Sequence, residues 1–111
     1  MRSMIAIKDN KDFRRLYTRG RSCVSSVLVT YVMKNKTGNV RVGITTSKKT
    51  GNAVERNRSR RIIREAARKV YPQINTGLDI VFVSRAKTCY NKSTEIEKIM
   101  LSHLGQLGAL K

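Results

Sequence analysis

Apolar and polar residues alternate along this chain in six blocks, and each block has the period of one element. Phe13, Leu16 and Tyr17 recur at helical spacing after Asp9 and Asn10, either of which can cap, and Gly20 stops the run. This predicts a short helix ending near Thr18. Ser22–Met33 is rich in Val, Thr and Tyr and alternates in twos, as a strand does. Thr37-Gly38-Asn39 reads as a turn, so Val40–Thr46 should return as the hairpin partner of that strand. Gly51-Asn52, with Glu55 three residues beyond Asn52, has the spacing of a capping box and starts a helix near Ala53. Tyr71-Pro72 ends it, since a residue before proline avoids the helical region. Leu78–Ser84 is almost continuously apolar, which suits a central strand covered on both faces. Thr94 and Glu97 repeat the capping spacing ahead of a last helix that turns Ile96, Ile99, Met100, Leu104 and Leu107 inward. The expected fold is α+β: a two-layer α/β sandwich with a mixed sheet and the order α-β-β-α-β-α, in one domain over residues 1–111.

The helix from Ala53 is divided lengthwise. At roughly 100° per residue, Ser59, Ile62, Ile63, Ala66, Ala67 and Val70 share one side of the wheel. Asn57, Arg60, Arg61, Arg64 and Arg68 share the other. The first face packs on a core and the second presents guanidinium groups. Ahead of the helix, Lys48 and Lys49 stand beside its first free backbone N–H groups, an arrangement suited to anions.

Charge makes the partner explicit. Lys and Arg number 24 against 7 Asp and Glu, a net charge of +17. Such an excess resists compaction and selects polyanions. A solvated helix face mixes its signs, whereas the arginines from Arg56 to Arg68 have only Glu65 close by in sequence; without an anion their repulsion costs stability. An anionic membrane is disfavoured, because the apolar side of this helix carries small Ala and Ile instead of Trp, Phe or Leu. No apolar run approaches spanning length, and Met1–Lys11 lacks a signal-peptide core. Cys23 and Cys89 lack metal-type spacing and read as reduced thiols of a cytoplasmic protein.

Protein-based phosphodiester cleavage needs paired general acid and base groups, or carboxylates clustered on a metal. His103 is the one histidine; it borders the apolar side of the last helix and reads as structural. Asp9, Asp12, Glu55, Glu65, Asp79, Glu95 and Glu97 are scattered. No phosphate-cradling glycine loop or zinc-type motif occurs. No catalytic residue is assigned in this chain.

Lys48-Lys49, Gly51-Asn52-Ala53-Val54, Arg56-Asn57-Arg58 and Arg60-Arg61-Ile62-Ile63-Arg64-Glu65 together resemble the signature of the bacterial ribonuclease P protein subunit. Asp12-Phe13, Tyr17, Gly20, Tyr31 and Arg41-Val42-Gly43-Ile44 extend the resemblance over nearly the whole chain, weakening after about Ser84. A parallel β-α-β crossover is ordinarily right-handed. The resemblance implies a left-handed one, in a fold similar to a domain of some ribosomal proteins.

It also implies a function: subunit of an endoribonuclease that removes the 5′ leader of precursor tRNA. The RNA subunit holds Mg2+ and hydrolyses the phosphodiester, while the protein binds that catalytic RNA and the single-stranded leader. By resemblance, Lys48, Lys49, Arg58, Arg60, Arg61, Arg64 and Arg68 face the catalytic RNA, and Phe13, Tyr17, Tyr31, Arg56 and Asn57 line the leader groove. From spacing alone, Phe13, Leu16 and Tyr17 read instead as the inner face of the first helix. Tyr17 stands where many relatives carry Phe, which keeps a stacking face and adds a hydroxyl to satisfy. The alternative is a structural RNA-binding protein of ribosomal type without a leader cleft. A DNA-binding module is disfavoured because strands, not a helix and tight turn, flank the arginine helix.

Overall fold

The computed structural model describes residues 4–111, apart from the side chain of Lys48. Its strands are β1 (Ile5–Ala6), β2 (Arg21–Val24), β3 (Leu28–Lys34), β4 (Arg41–Thr45) and β5 (Leu78–Ser84), and its helices are α1 (Asn10–Arg19), α2 (Ala53–Val70) and α3 (Ser93–Gln106). They form one five-stranded sheet in the order β1-β4-β5-β3-β2. β4 pairs in parallel with β1 and β5, while β3 is antiparallel to both β5 and β2. The mixed sheet and its helices match the expected α+β class, and α2 supplies the β-α-β crossover between parallel β4 and β5.

Pairing differs from the expected order in two ways. β3 and β4 are not hairpin partners: β5 lies between them, pairing Tyr31 with Val81 on one side and Gly43 with Val81 on the other. The stretch read as a single strand over Ser22–Met33 is itself a hairpin, β2 against β3, with Cys23 opposite Thr30. Its bend is made by Ser25, whose hydroxyl oxygen accepts from the N–H groups of Val27 and Leu28 at 3.3 and 3.1 Å. β1 is an addition at the β4 edge.

Alternation along β5 decides what each sheet face packs against. Ile80 and Phe82 point with Leu28, Val32 and Val42 toward Ile63, Ala66, Ala67 and Val70 of α2 and Ile96, Met100 and Leu104 of α3. α2 and α3 form a helical layer on this face, with the main core between them and the sheet. Val81 points the other way, where Leu16 of α1 and Ile7 complete a smaller cluster with Phe13, Tyr31, Met33 and Val83 at its edge. β5 is thus covered on both faces, as its apolar run demands. An ion pair closes the α1 side: Arg41 donates to both carboxylate oxygens of buried Asp79 at 2.8 and 2.6 Å, with Asp12 of α1 at 3.7 Å. Asp79 holds the guanidinium pKa of Arg41 above its ordinary value.

α2 begins as its sequence dictates: Asn52 Oδ1 accepts from Glu55 N–H at 2.9 Å, and Glu55 Oε1 accepts from Asn52 N–H at 3.0 Å. α3 starts slightly earlier than its Thr94–Glu97 spacing suggests. Glu95 reaches back to the Lys92 N–H at 3.0 Å, so the acid two positions upstream does the capping. Cys23 and Cys89 are both free thiols.

His103 is 4% exposed, with Nδ1 2.9 Å from Thr30 Oγ1. Burial pushes its imidazole pKa below the ordinary value. The unfolded chain, with a histidine pKa of about 6.5, therefore binds a proton that the folded chain refuses until the pH reaches the lowered value. The stabilising contribution is complete above about pH 6.5 and is lost as pH falls through the folded pKa. Thermal melts across this range should show a decline in Tm that is shallower in His103→Gln; parallel declines would contradict the burial argument.

Candidate nucleic-acid interface

The C-terminal ends of parallel β4 and β5 lie side by side, and the chain leaves β4 there through Thr46–Asn52 into α2. Crevices beyond the carboxyl ends of parallel strands are general ligand sites, because crossover loops and helix N-termini converge on them. Here that edge gathers two surfaces of different chemistry.

The first is the outer face of α2. Ser59, Ile63, Ala66, Ala67 and Val70 are buried on its inner side, while Arg58, Arg61, Arg64 and Arg68 are exposed on its outer side. Among the described residues, none of these four guanidinium groups has a hydrogen bond or ion pair within the protein. Lys49 is exposed in the 3-10 turn Lys48–Thr50 that precedes the helix, and the side chain of Lys48 lies outside the described residues. The face is a row of unneutralised donors.

The second surface is aromatic and lies on the sheet face that α1 only partly covers. Tyr17 and Tyr31 meet edge to face with centroids 5.1 Å apart, and Phe13 is 6.5 Å from Tyr17. Tyr17 is 41% exposed, and its hydroxyl donates to Thr45 Oγ1 at 3.2 Å, which satisfies the added polar atom and leaves a ring face open. Phe13 and Tyr31 are half-buried, whereas Leu16 alone of the α1 stripe is fully buried. The inner-face reading therefore holds for Leu16, and the aromatic residues divide between packing and exposure. Beside them runs an open trough of about 680 Å³ lined by Phe13, Arg14, Tyr17, Thr45, Thr46 and Arg60.

Arg60 is where placement on the wheel was insufficient. Its Nη2 donates to Thr46 Oγ1 at 3.0 Å, which draws it off the helix face to the lip of the aromatic trough. Arg56 folds back, donating to Gly51 O at 2.8 Å, and braces the loop ahead of α2. Asn57 is exposed. Arg14 was missed, although Asn10, Phe13, Arg14 and Tyr17 form a helical stripe that could have signalled it. Tyr90, exposed after β5, donates to Glu55 Oε2 at 2.8 Å. Glu55 is thus held by the Asn52 backbone and by Tyr90, which lower its pKa, while that bond raises the pKa of Tyr90.

Gly43 admits the ring of Phe13. A Cβ there would stand 2.6 Å from Phe13 Cε1 and 2.8 Å from its Cζ. Gly43→Ala should push the ring into the trough and cost roughly 1–3 kcal/mol, as overpacking does. Unchanged unfolding free energy would mean that the ring yields freely and is not seated by this contact.

No described helix is long and apolar enough to cross a membrane. The described residues contain no group of three or more His, Cys, Asp or Glu positioned to hold a metal ion.

The family model for ribonuclease P matches residues 1–108. The ribonuclease P protein component of Clostridioides difficile (strain 630) is 43% identical over 93 residues, 83% of this chain and 82% of that protein. The corresponding component of Clostridium novyi (strain NT) is 44% identical over 105 residues, 92% of each chain. The structure of the Staphylococcus aureus RNase P protein superimposes with a TM-score of 0.83 at 32% identity, covering 98% of this chain and all of that one.

Proposed function

The chain belongs to the ribonuclease P protein family, and from that premise we propose that it binds a catalytic RNA through α2 and the 5′ leader of precursor tRNA through the aromatic trough. The observation that carries this reading is the unpaired guanidinium row meeting the aromatic trough at one sheet edge. A structured RNA offers closely spaced phosphates to Arg58, Arg61, Arg64, Arg68 and Lys49. A leader of any sequence offers bases that stack on Tyr17 and Phe13 of the trough, with Tyr31 against the Tyr17 ring, because every base has a π-face. Arg60 and Arg14 at the lip are placed to meet leader phosphates, and Arg56 and Asn57 border the same end of α2.

In this reading the RNA subunit binds Mg2+ and performs hydrolysis. No step is assigned to a protein-bound ion. The protein lowers the barrier by holding leader and catalytic RNA in register, which is a gain in effective concentration and orientation.

Incubation with precursor tRNA and Mg2+ tests the division of labour. Cleavage at the leader junction is expected only when the catalytic RNA is added, and cleavage by the protein alone would overturn it. His103→Ala should leave turnover of the reconstituted ribonucleoprotein intact; a loss of about a hundredfold or more with normal assembly would mark a general acid or base. The ribosomal-type alternative predicts RNA binding without any preference for precursor over mature tRNA.

A further inference from the structure

At its C-terminal end α2 borders a second groove, of about 830 Å³, that shares no residue with the aromatic trough. Ile5, Val40, Tyr71, Pro72 and Ile74 supply its apolar wall. The Tyr71 ring is fixed, since its hydroxyl donates to Val40 O at 2.7 Å, so the slot is built into the fold. Polar groups stand at its margin: Glu65, Arg68 and Lys69 from α2, Asn39 and Thr76 from the adjoining loops, and Lys111. An apolar slot with a handful of polar groups at its margin is the general form of a small-ligand site.

Arg68 belongs both to this groove and to the outer row of α2. From Arg61 to Arg68 the row advances about 10 Å along the helix axis, so a strand tracking it arrives at the groove. Resting on the RNA-subunit reading above, we propose that the groove receives one unpaired base of the catalytic RNA, turned out of its stack, with the phosphate of that nucleotide on Arg68 and Lys69. Sequence-specific RNA contacts commonly splay single unpaired bases onto aromatic faces and read their edges. Here Tyr71 and Pro72 offer flat apolar surfaces to the ring, and the Glu65 carboxylate can accept from an exocyclic amino group. Charge selects this occupant: a second copy of a +17 chain would bring like charges together at Arg68 and Lys69, whereas a nucleotide supplies an anion.

The test changes the slot without changing its charge. Thr76 is exposed, so Thr76→Trp fills the groove from a loop, and Ile5→Ser removes part of its wall should the first variant fold poorly. Binding of each to the catalytic RNA is measured across a salt series, with base-specific chemical probing of the complexes by dimethyl sulfate and carbodiimide. Affinity should fall roughly five- to a hundredfold, in keeping with loss of one stacked base. The salt slope should flatten by no more than the one phosphate contact of that nucleotide, roughly 0.7–0.9, and one unpaired base shielded in its complex should become reactive. The proposal is overturned if both variants bind and shield as the unsubstituted chain does. It is overturned equally if affinity falls while no base becomes reactive, which would make the contact one of phosphate alone, or if the free chain is a dimer that Thr76→Trp splits. An unsubstituted chain that shows no affinity for the RNA would overturn the RNA-subunit reading along with it.

Discussion

Replacing Arg61, Arg64 and Arg68 together with Ala should lower affinity for the catalytic RNA by about a hundredfold at physiological ionic strength. Each phosphate contact adds roughly 0.7–0.9 to the salt slope, which at about 0.15 M salt is about 0.6–0.7 log units relative to 1 M. Three lost contacts give about two log units and a slope shallower by roughly 2–3. The fold should survive, because these side chains are exposed and make no hydrogen bond or ion pair within the protein among the described residues. The free chain should gain stability, since a net charge of +17 falls by the three charges removed. Filter binding over a salt series, with thermal melts of the same variant, reads both effects. An unchanged slope would remove this face from the RNA contact. Arg60 is left out because its bond to Thr46 ties it to the trough.

Tyr17→Ala should reduce the preference of the reconstituted ribonucleoprotein for precursor over mature tRNA by roughly five- to a hundredfold, the equivalent of ~1–3 kcal/mol per stacked base. Affinity for the catalytic RNA should barely move. Tyr17 is the cleanest position for this test: it is 41% exposed, and its removal gives up one hydrogen bond and an edge contact with Tyr31. Tyr31→Ala should act in the same direction. Phe13→Ala disturbs packing on Gly43 as well, and part of its effect will appear as lost stability. The ratio of precursor to mature affinity, measured beside the unfolding free energy, separates the two roles. Large destabilisation with an unaltered ratio would return all three rings to the core.

The arginine helix was legible because its signals are local. Asn52 and Glu55 satisfy each other's backbone across one turn, and a 3.6-residue period separates Ile63, Ala66 and Val70 from the charged side. β5 was legible from composition, because Ile80, Val81 and Phe82 in succession require cover on both faces. Strand pairing was not legible. The Thr37-Gly38-Asn39 turn has the chemistry of a hairpin, yet β3 and β4 diverge to admit β5, and nothing local to those residues reports a partner near position 80. The break between β2 and β3 has neither Gly nor Pro; it depends on the Ser25 hydroxyl, a weaker signal. In the site, residue types were readable and reach was not. A long guanidinium can leave the face its Cα occupies, as Arg60 does to meet Thr46.

The insertion of β5 between β3 and β4 also sets an order of events during synthesis. Until Leu78–Ser84 has emerged, β4 lacks its neighbour on that side and β3 has only β2. The β2–β3 hairpin can close early because its loop is short, whereas the parallel ladder must wait for the crossover helix to be made. Nascent chains stalled before Gly77 should therefore protect amides of β2 and β3 from hydrogen exchange but leave β4 open, with both becoming protected once β5 clears the ribosome. Protection of β4 in the shorter chain would show that the sheet nucleates elsewhere. A protein built this way makes its arginine helix before the strand that completes the sheet beneath it: α2 ends at Val70, and β5 is whole only at Ser84.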